Sequence, residues 1–267
     1  MDFRTIVDVP KLGFEIEPCE EILFVGSCFA DAIGSRFREE GFPVTVNPFG
    51  VMYNPASVLH TIERYEGCPR VVFITLGTNH VYRLKETGEI VDNCQKRPAA
   101  LFQEEELSVD QCADYLQKAV NLLRQRREDV QVVMTVSPIR YRKYGYHESQ
   151  LSKATLLLAV HSQLSTLNSQ LFYFPSYEIL MDELRDYRFY ASDMLHPSDQ
   201  AVEYIWERLV ASCFSDEAKA FLEEWQPLKQ ALNHKPFNPY SEDYKTFMDK
   251  TMLKVEALRK KYSTFAL

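Results

Sequence analysis

The sequence predicts an α/β fold, a parallel sheet of about five strands with helices on both faces. Short apolar runs recur along the chain, the stretches between them carry helical apolar spacing, and the two alternate. The runs are Ile22–Val25, Val44–Val46, Val71–Thr75, Val130–Val136 and Leu171–Phe174. Most are apolar at successive positions, which suits strands covered on both faces. Right-handed crossovers then place helices over each face, and ligands bind beyond the carboxyl ends of such strands.

The helices follow in order. Phe29, Ile33 and Phe37 are spaced four apart, and Gly41 follows where a left-handed cap ends a helix. Gly34 inside that helix costs about 1 kcal/mol relative to alanine, which a close approach of helix to sheet would explain. Asn54 and Pro55 supply a cap and a first-turn proline ahead of Val58, Leu59 and Ile62. Ser108 and Gln111 form a capping box before Leu116, Val120 and Leu123. Leu157, Val160, Leu164 and Leu167 make a further stripe, and Ser198 caps a helix bearing Val202, Ile205 and Leu209.

Beyond about residue 214 the alternation stops. Pro227, Pro236 and Pro239 punctuate the segment, and a charged helix over Glu242–Lys261 offers Met248, Met252 and Leu253 as a packing face. The expected organisation is a domain of residues 1–214 followed by a helical extension, 215–267. A hydrophobic fraction of 46% over 267 residues is enough to bury a sizeable core.

Acidic residues outnumber basic ones 38 to 30, a net charge of -8, so nucleic acid is not an expected partner. The opening MDFRTIVDVP lacks the apolar stretch of a secretory leader, and no run approaches the roughly 18 residues of a membrane span. A cytoplasmic location is expected. Six cysteines without a C-x-x-C pair read as reduced thiols, and the scattered histidines do not suggest a metal site. No cofactor is expected.

Four elements carry chemistry. Gly26-Ser27-Cys28-Phe29-Ala30 follows the first strand and opens a helix, placing the Ser27 hydroxyl over the sheet edge and its N–H toward the site. A helix-capping serine has the same appearance. Asp193-Met194-Leu195-His196 follows the fifth strand; His196 would take the serine proton while Asp193 orients its imidazole. Gly50 after the second strand and Asn79 after the third would join the Ser27 N–H as oxyanion donors. Cys28 is a rival nucleophile, although no histidine serves it better than Ser27.

These elements, in this order, resemble the SGNH hydrolase superfamily, whose blocks carry Ser, Gly, Asn and His. Within it, G-S-C-F-A, N-P-F-G-V-M-Y-N-P, L-G-T-N-H-V-Y, S-P-I-R and D-M-L-H-P-S resemble the GSCFA-domain family. The resemblance implies a flavodoxin-like, three-layer α/β/α hydrolase fold with a nucleophilic Ser27 and an Asp193-x-x-His196 pair. Two departures stand out: Gly26 occupies the place where the superfamily usually has an acidic residue, and only Glu66–Arg70 precedes the third strand.

The expected activity is metal-independent hydrolysis of short acyl esters. An acyltransferase on the same triad and a non-catalytic binding module are the alternatives. Phe49, Tyr53, Asn54, His80, Tyr82, Arg140, Tyr141 and Tyr190 populate the surrounding loops, and of these Tyr53, Asn54, His80 and Arg140 are the candidate substrate contacts. Aromatic faces beside hydrogen-bonding groups suit a carbohydrate ester.

Overall fold

The computed structural model describes residues 4–92, 94, 97–166 and 170–267. Its strands are β1 (Ile22–Gly26), β2 (Val44–Val46), β3 (Val71–Leu76), β4 (His80–Leu84), β5 (Ile90–Val91), β6 (Phe102–Glu106), β7 (Gln131–Val136) and β8 (Leu171–Tyr173). Between them run α1 (Cys28–Glu39), α2 (Pro55–Arg64), α3 (Val109–Arg126) and α4 (Tyr146–Thr166). After β8 come a helical turn α5 (Ser176–Glu178), then α6 (Asp199–Cys213), α7 (Asp216–Leu232) and α8 (Glu242–Lys261).

Five strands form one parallel sheet in the order β2-β1-β3-β7-β8. Side chains alternate between its faces, as a pleat requires. Phe24 and Phe73 point into a core shared with Phe37 of α1 and Trp206 of α6. Leu23, Val25, Ile74 and Met134 point into the opposite core, built with α2, α3 and α4. This is the sheet covered by helices on both faces that the alternation predicts, and the flavodoxin-like fold that the resemblance implies. The edge strand β2 is only half-buried along its length, because one of its sides has no neighbouring strand.

Local signals in the sequence set most boundaries. Asn54, Ser108 and Ser198 each accept a backbone N–H at the start of their helices, with the capping box at Ser108 complete. Gly41 has φ +79 just past α1. A Cβ at Gly34 would stand 2.5 Å from Val46, so the close packing of α1 on β2 demands glycine there.

Four expectations are corrected. A second sheet, antiparallel and ordered β5-β4-β6, projects after β3 where the sequence reading had only a loop. The buried face of α4 includes Ser149, Ser152, Lys153, Leu156, Ala159, Val160 and Gln163; Leu157 and Leu164 are partly buried, and Leu167 lies outside the described residues. Pro227 lies inside α7 rather than ending a helix; it is exposed, so the ladder bond it removes is lost on the solvent side. In α8 the buried residues are Thr251, Val255 and Leu258, while Met252 and Leu253 face outward.

The helices of residues 215–267 share the core of the sheet. Phe221, Trp225, Leu228, Val255, Leu258 and Phe265 all belong to the cluster that contains Phe37 and Phe42. At the far end of the sequence, Phe265 fills the space beside Gly41, where a Cβ would come within 2.0 Å of its ring, and Ala266 N–H donates to Gly41 O at 2.9 Å. Among the described residues no helix is long and apolar enough to cross a membrane.

Candidate functional site

The strand order turns back between β1 and β3, and the chain after each strand meets at that point. Gly26 closes β1 with φ +142, and its N–H donates to Asn47 Oδ1 at 2.8 Å. Asn47, itself at φ +43, donates in turn to Asp31 Oδ1 at 2.7 Å, tying the loop after β2 to α1. A Cβ on Gly26 would lie 2.1 Å from the Thr75 carbonyl oxygen. No side chain fits there, which accounts for the missing acidic residue. Gly26→Ala is therefore expected to destabilise by about 3 kcal/mol or more. Thermal denaturation checks this, and a variant melting with the wild type would refute it.

Ser27 is the N-cap of α1. Its Oγ accepts from Phe29 N–H at 3.2 Å and lies 3.1 Å from Thr75 Oγ1, and the residue is only 1% exposed. Its N–H donates to Thr75 O at 2.9 Å and stands 3.0 Å from Thr75 Oγ1. The parallel ladder thus runs one residue past Gly26. The donor expected to point into the site is spent on the neighbouring strand.

The opposite wall is the loop before α6. Asp193 Oδ1 accepts the N–H groups of Leu195 at 2.8 Å and His196 at 3.0 Å, while Oδ2 meets His196 Nδ1 at 2.5 Å. These backbone bonds, then the imidazole bond, hold the Asp193 carboxyl down at about 2. Met194 sits at φ +60, a region a branched or bulky side chain avoids, and the Asp193 turn holds it there. Both side chains of the pair are 44% exposed, so the imidazole is open to a substrate. Among the described residues no hydrogen bond joins His196 to Ser27.

Gly50 has φ +96 and donates its N–H to Asn47 O at 2.8 Å. Asn79 is buried; one amide hydrogen goes to Leu107 O at 2.8 Å. All three expected oxyanion donors therefore hold internal partners in this state. The Asn54 side chain serves as the cap of α2, accepting from Ser57 N–H at 2.9 Å, and is buried.

A row of rings runs from Cys28 to His80. The Sγ of Cys28 lies 3.5 Å from Tyr53 Oη, Tyr53 meets Tyr141 edge-on at 5.8 Å, Tyr141 stacks on Tyr144 at 5.1 Å, and Tyr144 stacks on His80 at 3.7 Å. His80 is buried in β4 with Nδ1 3.3 Å from Glu104 of β6. Arg140 lies over Tyr146 at 4.3 Å and Tyr190 at 5.4 Å, lining a cleft of about 480 Å³ that also touches Tyr177 and Tyr187. It reaches the histidine loop as well: its N–H donates to Leu195 O at 3.0 Å and its guanidinium to Met194 O at 3.2 Å.

Sequence reasoning missed two residues here. Asn47, in an Asn-Pro turn that tolerates positive φ, is one. The other is Lys153, which is 3% exposed and donates to Gly77 O at 2.7 Å and Ser137 O at 2.8 Å. Burial pulls its ammonium down to about 7. The unfolded chain thus holds this proton to a higher pH, and the cost of burying the charge, complete below pH 7, is relieved as pH rises toward the ordinary lysine value. The Tm of Lys153→Met relative to wild type is expected to fall as pH rises from about 7 toward the ordinary lysine value of 10.5, and to change little below pH 7. A constant difference would contradict it.

The GSCFA family pattern matches residues 21–69 and 67–209, and the pattern described as "GSCFA domain protein, C-terminal domain" matches residues 225–267. No curated protein matches the chain. Among solved structures, it is similar to a protein described as a GDSL-like lipase from Bacteroides ovatus (14% identity, 78% of this chain and 55% of that one, TM-score 0.47). A mutant acetyl esterase with acetate ion is similar too (11% identity, 78% and 99%, TM-score 0.44). So is a family two carbohydrate esterase from Clostridium thermocellum with cellohexaose (12% identity, 73% and 64%, TM-score 0.45). With its motifs in place along the sheet edge and both patterns matched, the chain belongs to the GSCFA family.

Proposed function

We propose that this protein is a metal-independent serine hydrolase of short acyl esters, with Ser27 as nucleophile, His196 as base and Asp193 as the group that orients it. One observation carries the reading: an open imidazole is gripped at Nδ1 by a carboxylate, on the same sheet edge as a serine at a helix N-terminus. A neutral imidazole so held presents Nε2 as the proton acceptor. The hydroxyl attacks the ester carbonyl, its proton passes to His196 and on to the leaving alcohol, and water then releases the acyl group by the same route. Asn79 keeps a second amide hydrogen beyond the one given to Leu107, and this is its contribution to the oxyanion.

The rival reading, a binding module that retains the fold without turnover, draws support from the buried Ser27 hydroxyl and its spent N–H. Labelling by a fluorophosphonate, located by mass spectrometry, separates the two: adduct on Ser27 supports the hydrolase, and an unlabelled, folded protein favours the module.

The cleft about Arg140 is lined by Tyr146, Tyr177, Tyr187 and Tyr190 among polar groups, which favours a sugar as the alcohol part of the ester. Acetyl p-nitrophenyl ester is expected to be cleaved faster than butyryl, and both far faster than palmitoyl, at matched solubility. A preference for palmitoyl would reject the short-acyl assignment.

A further inference from the structure

Lys153 has partners of an unusual kind. A buried ammonium ordinarily has a carboxylate beside it. Among the described ion pairs none involves Lys153, and both acceptors are main-chain carbonyls. An apolar side chain would occupy this position at less cost in desolvation, so packing alone does not account for a lysine here.

Its acceptors lie at informative places. Gly77 and Ser137 are the first residues beyond β3 and β7. Gly77 packs against the nucleophile: a Cβ on it would be 3.4 Å from Ser27 Cβ. Three residues after Ser137, Arg140 holds Leu195 O and Met194 O, immediately before His196. Neighbouring residues of α4 support one loop each. Ser152 Oγ accepts from Asn79 N–H at 3.0 Å, and Ser149 Oγ from Tyr141 N–H at 3.2 Å. Lys153 bonds both loops at once.

We propose that Lys153 is a positioning residue that sets the spacing between Ser27 and His196, by tying Gly77, which sits beside Ser27, to Ser137, from which the chain runs to Arg140 and its bonds to the 194–196 loop. The role rests on the reading of Ser27 and His196 as nucleophile and base. A displacement of about 1 Å between reacting groups can cost 10²-fold in rate, so a clamp remote from the substrate can govern turnover.

The test uses the full chain, with Lys153→Met, Lys153→Gln and Arg140→Gln, singly and with Lys153→Met and Arg140→Gln combined. Backbone hydrogen exchange without substrate is expected to rise in Lys153→Met at residues 77–80 and 137–141, the loops it bonds, and also at 190–196, beyond its two acceptors. With p-nitrophenyl acetate, kcat is expected to fall about 10²-fold while KM changes less than about threefold. The double variant should lose little more than the worse single one, because both substitutions break one series. Lys153→Gln, which can still bond one carbonyl, should lie between wild type and Lys153→Met. Unchanged exchange at 190–196 in folded variants, unchanged kcat, or loss of the fold in both Lys153 variants would overturn the proposal. Should wild type hydrolyse no ester, the hydrolase reading fails, and the exchange data alone decide whether the clamp exists.

Discussion

Ser27→Ala is expected to lower ester hydrolysis by about 10⁴-fold or more while leaving the fold in place. The hydroxyl has two occupations in the structure, capping Phe29 N–H and contacting Thr75 Oγ1, and neither holds much free energy. Losing an N-cap costs about 1 kcal/mol, small against the cores on either side of the sheet. The variant should therefore melt within a few degrees of wild type, bind substrate with similar affinity, and resist fluorophosphonate labelling. Initial rates with p-nitrophenyl acetate and a thermal melt on the same preparation decide the matter. A variant that unfolds would make Ser27 a cap and nothing more. One that remains active would move the chemistry elsewhere, with Cys28 the first place to look.

Asp193→Asn is expected to cost about 10⁴-fold in turnover without altering the loop. An asparagine oxygen can still accept from Leu195 and His196 N–H, so the turn that holds Met194 at positive φ survives. The amide nitrogen, however, would face His196 Nδ1 as a donor where the carboxylate is an acceptor. The imidazole must then carry its proton on Nε2, the atom that has to receive one from Ser27. The stabilising contribution of the Asp193 carboxylate is present above the ordinary aspartate value of 3.8 and is lost as pH falls through about 2. The wild-type carboxylate is thus ionised at any pH suited to an assay. A rate for Asp193→Asn within tenfold of wild type would show that the pair is structural.

The sheet was legible because its strands are apolar at successive positions and its helices begin on capping residues whose side chains make the expected bonds, as at Asn54, Ser108 and Ser198. The second sheet was not. β5 has two residues, and β6 reads FQEEE, whose charges disfavour a strand and are tolerated at an edge where Glu105 meets Arg83 and Glu104 meets Lys143. Lys153 escaped notice for a related reason. Within LSKATLLLA a lysine reads as a solvated position, and only the loops after β3 and β7, folded back from distant sequence, supply the carbonyls that hold it. The Ser27 N–H was misread because nothing local announces that the ladder continues one residue past Gly26. Motif spacing brought Ser27, Asp193 and His196 to one edge; the partners of each donor had to be seen in three dimensions.

The seat of Phe265 beside Gly41 bears on how the protein is made. Synthesis proceeds from the N-terminus, and the aromatic floor formed by Phe37 and Phe42 emerges early. Its lid, Phe221 with Phe265, is synthesised long after that floor. Until then a greasy surface stays uncovered, and the contacts that close it join residues far apart in the sequence, the arrangement that folds slowly. A nascent chain stalled before Phe221 would therefore present that aromatic floor to solvent, an aggregation-prone surface that the finished fold hides.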